Sequence, residues 1–360
     1  MKYFVYLIIC LISLLNGCSL VPATDVNELN LIEGTGFDLT KPTEYRGTVI
    51  FPNFRSNGSR DFDVISAKGE TIKRVRTKLD SQVRYRLISG QLRLVAFSMN
   101  FAKNGIFPII DTFNRDPVVG SLLQLAIVDG ETFDLLSLKE YKKENLALYL
   151  HDMLLHNSET GPLPYTDFST FVYQYFEIGQ DPYLPILKID KKKIKISGIA
   201  LFKGDKMVTT IPWKYVFIFK SIMESYKQGL HQFKFKDGVY IAIDNVKSKK
   251  KVDIKIKKNM PEFTIKLKMN ARIQEYTGDK PIMFPKHIKE INKKLEKQIE
   301  KNGQELISIL QKNNVDPLGL GSKLEAHQRD FDLKKWEKQY PNAKIKVSVD
   351  LDILHSGIVE

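Results

Sequence analysis

Between residues 252 and 269 the chain alternates with a period of two. Val252, Ile254 and Ile256, then Phe263, Ile265, Leu267 and Met269, are separated by single polar residues. Side chains of a strand point alternately to its two faces. The spacing therefore specifies half-buried antiparallel strands, with one face in a core and the other in water. The polar positions are largely lysines, within a basic stretch from Lys247 to Lys258, which puts the charge on one sheet face. Residues 344–351 alternate again and give a last strand after a loop around Trp336. Between these segments the period changes. Ile288, Ile291, Leu295, Ile299, Leu306, Ile309 and Leu310 form one apolar stripe with Glu and Lys opposite, a long amphipathic helix over 286–312. Pro285 stands at its start, where proline is tolerated. Gly303 weakens its middle by about 1 kcal/mol relative to Ala.

The first half mixes the same two periods. Strands are expected over 28–37, 45–51 (Val49 and Phe51 on one face), 63–66, 92–97 and 121–128. The run Arg55 to Arg60 contains Asn57-Gly58, which accepts positive φ cheaply and reads as a hairpin tip. Ile72, Val75, Leu79, Val83 and Leu87 predict a helix over 71–87. Gly105 and Pro108 break a helical stretch over 100–113. Further helices are expected near 132–138, 143–155 and 167–176, the last after Gly161-Pro162-Leu163-Pro164. At 185–195 the character changes and 187–199 alternates Lys with Ile as a strand pair. Strands and helices without strict βαβ alternation argue for a multi-domain α+β protein with mixed and antiparallel sheets flanked by helices. The expected division is an N-terminal α+β region at 28–190, of one or two subdomains, and a C-terminal α+β domain at 191–360 with an antiparallel sheet.

Ahead of this body, Lys2 precedes an apolar run from Phe4 to Leu15, followed by Leu15-Asn16-Gly17-Cys18. A charged start, a short apolar segment and a small residue before the cut describe a secretory signal. The run is too short to span a bilayer, which needs about 20 residues. Cys18 directly after Gly17 makes the signal a lipobox. The expectation is a signal peptide at 1–17, cleavage between Gly17 and Cys18, a diacyl lipid of the palmitate kind on the Cys18 thiol, and a tether at 18–27. Cys10 leaves with the signal, so the mature chain has no disulfide and no free thiol, and cysteine-based zinc sites and thiol catalysis are excluded. The composition, 43% hydrophobic and 27% charged, is that of a folded chain rather than a disordered one. The net charge of +13 concentrates at Lys191–Lys195 and Lys247–Lys258. For an exported, tethered chain the counter-charge is an anionic membrane surface rather than nucleic acid, at about 1 kcal/mol per basic residue near the headgroups; a solvated strand face is the plain alternative.

His151, His156, His231, His287, His327 and His355 lack metal-ligand spacing and read as structural, so no metal and no cofactor is expected. Gly34-Thr35-Gly36 and Gly319-Leu320-Gly321 lack the later glycine and Lys-Ser of phosphate loops and read as turns. No Gly-x-Ser-x-Gly elbow occurs. Arg115-Asp116 reads as an ion pair or fixed turn, and Trp213 and Trp336 as core anchors. Catalysis is not supported.

Several motifs together resemble the spore germinant receptor C-subunit family, lipoproteins of endospore-forming bacteria. They are Glu28-Leu29 through Gly36-Phe37-Asp38, Ser66 to Thr71, Ala102-Lys103-Asn104-Gly105-Ile106 with Asp111 and Arg115-Asp116, Gly198 to Lys206, Asp316-Pro317-Leu318-Gly319-Leu320-Gly321, and Trp336. Ser19 departs from the tryptophan usual after the lipid cysteine, and Ser89-Gly90-Gln91 from the usual Gly-His. The resemblance implies three α+β domains and a non-enzymatic, lipid-anchored subunit on the outer face of the spore inner membrane. It implies A and B membrane subunits as partners, in a complex where nutrient sensing starts dipicolinate release. The alternatives are a solute-binding lipoprotein and an exported enzyme. The first would need two doubly wound lobes and the second a catalytic constellation, and neither pattern is present.

Overall fold

The computed structural model describes residues 28–54, 60–120, 122–141, 144–257, 260–278 and 285–354. Residues 55–59 of the turn expected at 55–60, and His355, lie outside them. The first half builds an eight-stranded sheet from β2 (Gly34–Lys41), β3 (Glu44–Phe54), β4 (Arg60–Gly69), β6 (Leu94–Ser98), β7 (Gln124–Asp129), β8 (Tyr183–Asp190), β9 (Lys193–Lys203) and β10 (Lys206–Pro212). Their order is β10-β9-β8-β7-β6-β2-β3-β4. A small parallel pair, β1 (Leu29–Leu31) with β5 (Arg86–Ile88), lies apart.

The centre of the large sheet is parallel, β2 with β6, β6 with β7 and β7 with β8, and both edges are antiparallel hairpins. Parallel strands are covered on both faces, which is why 94–98 and 124–128 read as unbroken buried runs rather than alternating ones. Val95, Phe97, Leu125 and Ile127 meet α1 (Ile72–Asp80), α2 (Met99–Asn104), α3 (Phe107–Asn114) and α6 (Phe168–Phe176) on one side. Leu94, Ala96, Ala126 and Val128 meet α4 (Thr132–Leu136) and α5 (Leu146–Glu159) on the other. That second core runs on through α7 (Val216–Met223) into the C-terminal sheet.

The C-terminal sheet is β11 (Leu230–Lys236), β12 (Val239–Lys257), β13 (Met260–Tyr276) and β14 (Lys344–Ile353), in that order. The expected alternation over 252–269 is the antiparallel β12–β13 pair. The sheet is not antiparallel throughout, because β14 lies parallel to β13. A parallel neighbour needs a long crossover, and α8 (Pro285–Lys312) supplies it. Leu295, Ile299, Leu306 and Leu310 of α8 lie in one core with Phe263, Ile265, Ile345 and Val347.

Other differences have local causes. The helix expected over 71–87 stops at Asp80, where Ser81 caps it, and Leu87 belongs to β5, 1% exposed against the core. Gly34 opens β2 and Gly36 lies within it, rather than in a turn. A Cβ on Gly34 would sit 2.9 Å from the Ala147 Cβ, and one on Gly36 2.4 Å from the Thr132 Oγ1, so glycine lets α4 and α5 ride against the strand. The change of character at 185–195 falls on the β8–β9 hairpin, which turns on Lys191 and Lys192, both at positive φ (48° and 68°). The large sheet therefore continues past the expected division at 190 to Pro212.

Candidate functional site

Gly17 and Cys18 lie outside the described residues. Within those residues, buried charge gathers at the seam between the large sheet and the C-terminal unit. After α6, Gly179 (φ 72°) turns the chain into Gln180-Asp181 and β8. After α8, Asp316 to Gly319 (φ 60°) lead into α9 (Leu320–Glu325). The two loops are clasped by reciprocal bonds. The Asp316 N–H donates to the Asp181 carboxylate at 2.8 Å, and the Asp181 N–H donates to the Asp316 carbonyl at 3.0 Å. Gln180 Nε2 donates to the Pro317 carbonyl at 3.2 Å, and the Ser322 hydroxyl to Glu177 at 2.5 Å.

The backbones cross almost in contact. A Cβ on Gly179 would lie 2.7 Å from the Gly321 carbonyl carbon, and one on Gly321 would lie 2.4 Å from Trp336 Nε1. Trp336, on α10 (Leu333–Gln339), is 2% exposed and packs edge-on against Phe263 and Tyr340. The Tyr340 hydroxyl donates to the Val315 carbonyl at 2.7 Å, closing the loop from behind.

Both carboxylates are saturated with donors. Asp316 accepts from the Leu320 and Gly321 N–H groups at 3.1 and 2.8 Å. Asp181 also accepts from the Gly204 N–H at 3.3 Å and from Lys203 Nζ at 3.2 Å, and Lys203 pairs in turn with Glu337 at 3.2 Å. Burial pushes Asp316 up to about 7, against the pull of its N–H donors, and the Asp181 charge adds to the rise. Burial raises Asp181 too, with Lys203 opposing it. Burial pulls Lys203 down, but the charges and bonds of Asp181 and Glu337 outweigh it and leave the ammonium raised.

A second buried charge ties α7 to the first half. Lys220 of α7 is fully buried and donates to the Ser158 carbonyl in the last turn of α5 and to the Gly161 and Leu163 carbonyls just beyond it. Glu224 lies 3.5 Å from its Nζ and also accepts from the Tyr165 N–H at 3.4 Å. Desolvation lowers Lys220 and raises Glu224. The Ser158 carbonyl is one of the free C-terminal acceptors of a helix, and a cation there is favoured by the dipole. Such a seam holds two units in one relative position and can take up a proton.

The remaining sequence candidates scatter. His231 is half-buried, stacked 4.2 Å from Phe217 and lowered to about 4 by desolvation. His151 bonds Asp152 at 2.8 Å, and no group of three or more His, Cys, Asp or Glu side chains converges among the described residues. Arg115 pairs with Asp111 at 2.9 Å, four residues back. Trp336 anchors the core as expected, but Trp213 is 43% exposed, at the start of a short 3-10 turn ahead of α7. No helix of the described residues is long and apolar enough to cross a membrane. On the outer face of the C-terminal sheet, Lys266 pairs with Asp253 at 2.6 Å and Lys257 with Glu262 at 3.0 Å.

The seam falls between two family models. Residues 22–189 match the spore germination protein N-terminal domain, and residues 197–357 match the spore germination B3/GerAC-like C-terminal domain. The chain belongs to the spore germination GerAC family. It is 30% identical to spore germination protein GerQC of Bacillus cereus over 362 residues, covering 100% of each chain. It is 22% identical to the putative spore germination protein YfkR of Bacillus subtilis (strain 168), covering 98% of this chain and 96% of that one. The crystal structure of the GerBC protein has the same fold, with a TM-score of 0.59 at 17% identity, over 92% of this chain and 100% of that chain. The family expected from the motifs is thus the family found.

Within this GerAC-family chain, sequence reading found Asp316, Lys203 and Trp336 as motif members but missed that Asp181, Lys203 and Asp316 meet. A signal was present. Asp181 and Asp316 are lone carboxylates beside glycine and apolar residues, Gly179-Gln180-Asp181-Pro182 and Val315-Asp316-Pro317-Leu318. A carboxylate in such company is either buried and bonded or misplaced. Lys220, inside the apolar run 216–222, carried the same signal.

Proposed function

We propose that this chain is the lipid-anchored, non-catalytic subunit of a membrane germinant receptor, acting by assembly with an A subunit and a multi-spanning B subunit on the outer face of the spore inner membrane. The observation that carries this reading is the full-length likeness to GerQC, together with the family motifs that converge on one buried seam. The body is held by a diacyl lipid on Cys18 and a tether over 18–27. Two acyl chains give stable anchoring where one gives only marginal binding. The lysine-rich outer face of β12, β13 and β14 supports a second, electrostatic hold on anionic headgroups. Lys249, Lys255 and Lys346 on that face have no acidic partner among the described residues.

The test is an affinity pull-down of tagged full-length chain from spore membranes. Recovery of two membrane proteins in fixed ratio, reduced in a Cys18→Ala strain, supports the assembly. Recovery of the chain alone from gently solubilised membranes contradicts it. Flotation with anionic vesicles tests the basic face separately. Binding of the Cys18→Ala chain that fades as salt rises supports it, because exposed charges are screened beyond about 10 Å at 0.1 M salt. Salt-independent or absent binding removes it.

A further inference from the structure

The large sheet carries a cavity of about 650 Å³ between α1, α3 and the β1–β5 pair, on the face away from the C-terminal unit. That size is within the range of small-molecule sites, about 300–1,000 Å³. Its floor is apolar. Ile32, Val49, Val75, Leu79, Leu92 and Ile109 line it, each less than 7% exposed. Tightly packed interiors leave few voids larger than a water molecule, so an apolar space this large beside a well-packed sheet is a place for a guest.

The lining has a sign. Lys73 and Arg76 of α1 and Arg86 of β5 line it, against a single carboxylate, Asp116. Asp116 is occupied as an acceptor for the Val118 N–H at 3.0 Å. Arg76 is held by Asp80 at 3.3 Å and by the Leu87 carbonyl. Lys73 and Arg86, both exposed, have no carboxylate partner among the described residues. An apolar floor with free cations at the opening fits a guest with an apolar body and one anionic group at its end. We infer that this cavity binds such an amphiphile, an apolar chain or ring ending in a carboxylate or phosphate. The same chemistry is offered by a free apolar carboxylate and by an anionic membrane lipid. The site shares no residue with the seam clasp.

The test uses the full-length chain in vesicles, with Thr112→Cys as a reporter. Thr112 is exposed and lines the cavity, and the wild-type chain supplies the background labelling from its two cysteines. Maleimide labelling of the reporter is followed with octanoate or octanol added to zwitterionic vesicles, and separately in phosphatidylglycerol vesicles. The inference expects several-fold slower labelling with octanoate but not octanol, or in phosphatidylglycerol vesicles. The first result points to a free carboxylate as the guest and the second to a lipid. The double substitution Lys73→Gln with Arg86→Gln, at exposed positions, is expected to abolish protection while the melting temperature stays the same. Equal protection by octanol, protection that survives the double substitution, or no protection in any arm overturns the inference.

Discussion

Asp316 is fully buried, yet accepts two backbone N–H groups that no other residue supplies with acceptors in this loop. Its carboxyl is pushed up to about 7, while an unfolded aspartate titrates near ~3.9. Between those values the folded chain keeps a proton that the unfolded chain has lost. The site's stabilising contribution is therefore complete below the unfolded value and is lost as pH rises through about 7. Asp181, raised in the same direction by burial with Lys203 opposing, reinforces this sign. Urea unfolding from pH 4 to 8 is expected to show wild type losing stability relative to Asp316→Asn as pH rises. A constant difference between the two across that range would mean that Asp316 stays ionised. Lys220 gives a second test, made at a single pH. Lys220→Met leaves three carbonyls without their donor and Glu224 without its cation, which is expected to cost about 3–5 kcal/mol. Chemical denaturation measures it, and a loss below about 1 kcal/mol, the level of an exposed pair, would refute the buried role.

At the scale of elements, α8 does more than cover a sheet. Glu296 accepts from the Leu351 N–H and Glu300 from the Val349 N–H, each at 3.0 Å. Four helical residues advance about 6 Å and two strand residues about 6.6 Å, so one glutamate per turn meets every second residue of the edge strand. An edge strand covered in this way is closed to a further chain. Gly303 is what lets the helix sit so close. A Cβ there would lie 3.0 Å from Val347 Cγ1, a β-branched and buried neighbour with little room to give. Gly303→Ala is expected to lower stability even though alanine is the better helix former by about 1 kcal/mol. In a Val347→Ala background the same change is expected to stabilise, and thermal denaturation of the four proteins reads the reversal. If Gly303→Ala stabilises in both backgrounds, the contact is not tight. The helix and the alternating strands around it were legible because their periods are long and undisturbed. The end of α1 was not, because Val83 and Leu87 keep the helical spacing while Leu87 serves a strand. The parallel centre of the large sheet was hidden for a different reason. Strands buried on both faces lose the alternation that announces a strand's partner and direction. Nor did the sequence reveal that Gly34 and Gly36 lie within a strand, since only the helices packed over them explain the glycines.

For the whole molecule, the second core runs unbroken from the large sheet through α7 to α8, and the seam adds two buried charge centres along its length. A change in sequence character at 185–195 is thus no break in structure, since β8, β9 and β10 form one meander. The family was legible in the sequence, because its motifs are short and local. The seam was not, because it joins residues 135 positions apart. The most direct measurement is nutrient-triggered dipicolinate release from spores carrying wild-type chain, Cys18→Ala, or no chain, with protein levels checked by blot. The account predicts that the deletion abolishes the response to at least one class of nutrient, and that Cys18→Ala slows the same response. Deletion spores that answer every nutrient as fast as wild type would contradict it.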